Sequence, residues 1–98
     1  MLFHVAMTHI DDNCPAYDKE ATASFIARTN NLENLAKDLK IKVHFLLWGA
    51  PDHIAFALIE ADSLSALGRY VMSMPIRQAF TVTPVQNLKD VLVMLKGA

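Results

Sequence analysis

Apolar and polar side chains alternate from Leu2 to His9, with Phe3, Val5 and Met7 on one side and His4, Ala6 and Thr8 on the other. That two-residue period predicts a strand with one face in a core. Asp11, Asp12 and Asn13 break it, since each bonds readily to nearby backbone, and Pro15 suits a first helical turn. From Ala16 to Leu39 the period changes to steps of three and four: Tyr17, Ala21, Phe25, Arg28, Leu32, Leu35 and Leu39 form a stripe with one charged interruption. Thr29-Asn30-Asn31 is its weak point, where the helix kinks or divides. Alternation returns over Ile41–Trp48 and again over His53–Glu60, separated by the turn Gly49-Ala50-Pro51-Asp52, which predicts a hairpin. Asp62 or Ser63 caps a second helix from Leu64 to Met74, which Pro75 ends. A fourth strand follows from Ala79 to about Val85, and Asn87–Leu95 forms a terminal helix with Leu88, Val91, Leu92 and Leu95 as its stripe.

The order β-α-β-β-α-β with an added C-terminal helix predicts an α+β, ferredoxin-like fold, its antiparallel sheet ordered 4-1-3-2 and its two main helices on one face. Strand parity assigns His4, Ala6, Thr8, His44, Leu46, Trp48, Ala55, Ala57, Ile59, Thr81 and Thr83 to the uncovered face. That set is too apolar to face water, so a second copy is expected to cover it in a two-sheet barrel.

Composition narrows the partners. The 98 residues fit a single domain spanning 1–98, and 53% of them are hydrophobic, which favours a homodimer because so short a chain has much surface for its volume. A net charge of −1, with the basic residues scattered, gives no footprint for nucleic acid. The longest dense apolar run, Ile54–Ile59, is far short of a membrane span, which takes about 20 residues. A lone cysteine, Cys14, suits a reducing compartment, and a cytoplasmic protein is expected. No glycine-rich phosphate loop occurs, so no nucleotide cofactor is expected.

The stretch Glu60-Ala61-Asp62-Ser63, the short helix behind it, Pro75 and then Phe80-Thr81-Val82-Thr83-Pro84-Val85 resembles the small dimeric α+β barrel proteins. Characterised members of that superfamily include muconolactone isomerases, antibiotic-biosynthesis monooxygenases and small haem-degrading oxygenases. The resemblance implies the fold and the dimer. It does not choose among such different chemistries.

Topology indicates where chemistry would sit. The end of strand 1, the start of helix 1, the end of strand 2 and the starts of strands 3 and 4 share one rim. It collects His9, Asp11, Asp12, Cys14, Trp48, His53, Arg77 and Gln78. Cys14 falls at the expected N-terminus of helix 1, where the macrodipole favours a thiolate, and His9 is placed as its base. This predicts a small enzyme acting on an organic or sulfur-containing molecule, with His53, Arg77 and Trp48 as substrate contacts and Arg77 as an anion clamp. Alternatively His9, Cys14 and His53 bind zinc or copper in a non-catalytic protein, with Asp11, Asp12 or water completing the set. His4 and His44 fall on strands separated by a third, about 9.6 Å apart at two spacings of roughly 4.8 Å, and belong to the uncovered face.

Overall fold

The computed structural model describes residues 1–10, 12, 14–49 and 52–97, and for Tyr17 the backbone alone. Four strands, β1 (Leu2–Thr8), β2 (Lys42–Gly49), β3 (Ile54–Glu60) and β4 (Ala79–Val85), form one antiparallel sheet in the order β2-β3-β1-β4. Helices α1 (Lys19–Thr29), α2 (Leu32–Asp38), α3 (Leu64–Met72) and α4 (Leu88–Gly97) complete the chain. The expected 4-1-3-2 order and the α+β ferredoxin-like arrangement are both present. Pro84 lies in β4, an edge strand, where a missing N–H breaks no internal ladder.

The core lies between the sheet and its helices. Phe3, Val5 and Met7 on β1 pair with Ile59, Ala57 and Ala55 on β3, and all six are buried. Leu67, Tyr70 and Val71 of α3 and Leu32 of α2 close over them. Burial pushes the Tyr70 phenol up, so it stays neutral; this contribution is lost as pH climbs above the ordinary tyrosine value near 10.

Two assignments of strand face are corrected here. Ala55, Ala57 and Ile59 face the helices, because their register partners on β1 do, and Ile54, Phe56 and Leu58 take the uncovered face instead. On β2 the cause is a bulge. Val43 pairs with Ile59 but Phe45 pairs with Leu58, so His44 is an inserted residue and the alternation reverses beyond it. Leu46 and Trp48 therefore share the helix side with Ala57 and Ala55, while Phe45 and Leu47 pair with Leu58 and Phe56 on the uncovered side. His4, Ala6, Thr81 and Thr83 remain there as expected. His44 bonds Glu60 at 3.3 Å and His4 packs near Phe56, so the two histidines have separate surroundings.

The long first helix divides at Asn30-Asn31, the predicted weak point, and starts later than expected. Asp18 caps α1 by accepting from the Glu20 N–H at 3.2 Å, and Ser63 caps α3 through Ala66 at 3.1 Å. α2 ends in a Schellman motif: the Ile41 N–H donates to the Ala36 carbonyl at 2.8 Å and the Lys40 N–H to that of Lys37 at 3.2 Å. α4 has no buried residue, and Leu88, Leu92 and Leu95 of its expected stripe are exposed. The radius of gyration is 15.6 Å, against about 13 Å for a compact chain of this length.

The Schellman turn holds Lys40 at φ 57°, where glycine is the usual occupant. Lys40→Gly is expected to stabilise the fold by about 1 kcal/mol, read from the urea midpoint, because the left-handed backbone penalises any Cβ.

Candidate functional site

The β1–β3 ladder continues past both strand ends. The His9 N–H donates to the His53 carbonyl at 3.2 Å, the next rung after the Thr8–Ile54 pair. This rung sets the two imidazoles side by side, with His53 Nδ1 3.1 Å from His9 Nε2. Their rings meet edge to face at a centroid separation of 4.9 Å. His53 has φ 55°, as the chain turns sharply from Asp52 into β3. Gly49, at the other side of the turn, lies so close to Ile54 that an added Cβ would stand 3.0 Å from its side chain and 3.1 Å from its carbonyl oxygen. Ala50 and Pro51, expected in this turn, lie outside the described residues.

Cys14 reaches the histidines from the segment between β1 and α1. It is buried and forms no disulfide. The ligand atoms of His9, Cys14 and His53 all lie within 4.8 Å of one another. One expectation fails here: Cys14 does not begin α1. It precedes a three-residue 3-10 turn, Pro15–Tyr17, while α1 starts at Lys19, so the macrodipole argument for a thiolate no longer applies. Asp12 is exposed and outside this group; Asp11 lies outside the described residues.

Trp48 links the cluster to a cavity. Its ring lies 5.4 Å from the His9 ring and 6.0 Å from that of Phe25, centroid to centroid. The parity reversal at the bulge turns Trp48 to this side. Behind it lies an apolar cavity of about 250 Å³ between the sheet and the helices, whose walls include Met7, Phe25, Leu32, Ala55 and Met74. Arg77 does not line it. It is exposed and borders a shallow groove with Thr8, His9 and Gln78, and Gln78 also reaches the cavity. The structure thus brings His9, Cys14, His53 and Trp48 together and sets Arg77 on the outer side of His9.

Two residues escaped the sequence reading. Phe25 counted only as part of a helical stripe, although its contact with Trp48 makes it a cavity wall. Thr29 counted only as a weak point in the helix, although it lines the cavity and its buried hydroxyl has no hydrogen-bond partner among the described residues. The available signal was its spacing, four residues after Phe25 and so on the same helical face.

These elements define a ferredoxin-like α+β fold with a His–Cys–His cluster at one rim. The structure is similar to the crystal structure of a muconolactone isomerase, with a TM-score of 0.61, 22% identity, and coverage of 89% of this chain and 90% of that one. At that identity the likeness concerns the fold. No family model matches the sequence, and comparison with curated proteins finds no significant relative. Among the described residues, no helix is long and apolar enough to cross a membrane.

The positive φ at His53 gives a direct check on the turn. His53→Gly is expected to be more stable than His53→Ala by about 1 kcal/mol, since both remove the imidazole but only alanine keeps the left-handed penalty. Equal thermal midpoints for the two variants would contradict that geometry.

Proposed function

We propose that this protein is a small metal-dependent enzyme whose metal, zinc or copper, is held by His9, His53 and Cys14, with the Trp48 ring between His9 and the apolar cavity. The observation that carries this reading is the approach of the three donors to within 4.8 Å of one another, from three separate segments. In a tetrahedral centre with metal–nitrogen bonds of about 2.05 Å and a metal–sulfur bond of about 2.3 Å, donors lie about 3.3 to 3.6 Å apart. The two histidine nitrogens share a hydrogen bond at 3.1 Å, and a metal would take the place of the proton between them. Two imidazoles and a thiolate suit zinc or copper better than magnesium or calcium, which prefer oxygen. Three protein ligands beside a cavity leave a coordination position for a small molecule, as catalytic zinc sites do. When bound, such a metal supplies a Lewis acid. The chain's own part is to set the two histidines side by side by the extra ladder rung and to place the Trp48 ring against His9.

The metal-free reading makes Cys14 a nucleophile and His9 its base. It draws on the same proximity but lacks the helix terminus expected to favour a thiolate. A reducing, cytoplasmic setting suits either reading, because it keeps a lone thiol available.

Untagged protein stripped with chelator is expected to take up one zinc ion per chain and then to resist alkylation at Cys14. His9→Ala, His53→Ala and Cys14→Ser should each weaken zinc binding by more than the roughly 10- to 100-fold that loss of an outer-shell partner costs. Affinity should fall on acidification, since the imidazoles must be neutral and the thiol deprotonated to bind. Zinc that neither binds nor slows alkylation would remove the metal reading.

The assembly proposed with this reading is a homodimer through the uncovered sheet face. Phe45 and Leu47 stand exposed there, beside half-buried Phe56 and Leu58. Sedimentation at micromolar concentration should give a dimer, and Leu47→Asp, which puts a charge on the β2 edge of that face, should give a folded monomer.

A further inference from the structure

The two edges of the sheet differ in how they are guarded. β2 and β4 are the outer strands, and each turns every second backbone N–H and C=O away from the sheet. On β3 the odd-numbered residues bond toward β1, since the His9 N–H donates to the His53 carbonyl and the Ala61 N–H to that of Met1. The even-numbered ones bond toward β2 and engage Phe45, Leu47 and Gly49, which leaves Leu46 and Trp48 pointing outward. Among the described residues no backbone hydrogen bond meets that outward pair. By the same count Pro84 holds an outward position on β4, where it removes a donor and blunts the edge. β2 carries no proline, and Phe45, Leu46, Leu47 and Trp48 are consecutive and all exposed. An apolar edge of that kind is a template for another strand.

We infer that the β2 edge pairs antiparallel with the β2 edge of a second copy, across a two-fold axis at Leu47. That register uses both outward residues: Leu46 of each copy exchanges N–H···O bonds with Trp48 of the other. It sets Leu47 against Leu47 on the uncovered side of the sheet and Leu46 against Trp48 on the helix side, apolar against apolar. Beyond the bulge, Lys42 of one copy falls on the side of the turn that holds Asp52 of the other, and both are exposed. This self-match is what a two-fold contact requires and an unrelated strand lacks. The bulge at His44 and the turn after Gly49 keep the pairing short. So short a contact belongs with the weak interfaces that bury less than about 1,200 Å², and it forms in concentrated protein. It goes beyond the face-to-face dimer and does not depend on it. Each copy has one face and one such edge, so the two contacts together build species larger than a dimer.

Residue-resolved amide hydrogen exchange on the intact chain tests this. The Leu46 and Trp48 amides should exchange freely in dilute protein and about tenfold more slowly, or slower still, in concentrated protein. The Leu47 amide, bonded to β3, should stay protected in both. Sedimentation should show mass above the dimer over the same range of concentration. Leu46→Pro, which copies at an outward position what Pro84 does on β4, should remove both effects and keep the fold and the face-to-face dimer. A Leu46→Pro chain that is monomeric where the natural chain is dimeric supports the edge pairing and retires the face contact. Leu46 and Trp48 amides that exchange freely at every concentration overturn the inference and leave the face-to-face dimer standing. Protection of the Trp48 amide that persists in Leu46→Pro also overturns it, because the chain's own residues would then cover the edge. So does protection brought by a synthetic strand peptide but not by the protein itself.

Discussion

The β1–β3 register is the constraint on which the structure depends. It aligns Phe3, Val5 and Met7 with Ile59, Ala57 and Ala55 on the core side. The same ladder, carried one rung further, brings His9 to His53. Core and candidate site are therefore successive sections of one pairing, and a slip by one residue would expose the core side chains and part the imidazoles together.

A small chain needs few elements to build a site on such a frame. β1 and β3 supply the two histidines, the segment ahead of α1 supplies Cys14, and β2 supplies Trp48. None of these segments is interior to the sheet at the point where it contributes. Backbone hydrogen bonding fixes the two histidines relative to each other, and their imidazoles meet at 3.1 Å. The cavity arises because Trp48 and Phe25 meet above the sheet and leave space against Met7 and Ala55 instead of packing down onto them.

Much of this was legible in the sequence. The four strands, the two main helices and the sheet order follow from periods of two and of three to four, and the division at Asn30-Asn31 followed from its polar side chains. The proximity of His9, Cys14 and His53 followed from topology, because strand direction alone places those chain segments at one rim. Three things were hidden. The facing of β3 was assigned the wrong way because both of its sides are apolar, so alternation gave no contrast between Ala55-Ala57-Ile59 and Ile54-Phe56-Leu58. The bulge at His44 left no trace in a strand whose two faces are comparably hydrophobic. The late start of α1 was obscured because Pro15 suits the first turn of either a 3-10 or an α-helix, and the cap falls to Asp18.

The inserted residue at His44 has an evolutionary consequence. Beyond it, every side chain of β2 is on the side opposite to the one an unbroken ladder would give. Removing a single residue there would exchange two whole surfaces, sending Leu46 and Trp48 outward and Phe45 and Leu47 inward. The cavity wall and the uncovered face are thus written in one strand and separated by one codon. A deletion of that codon would therefore turn both surfaces over at once.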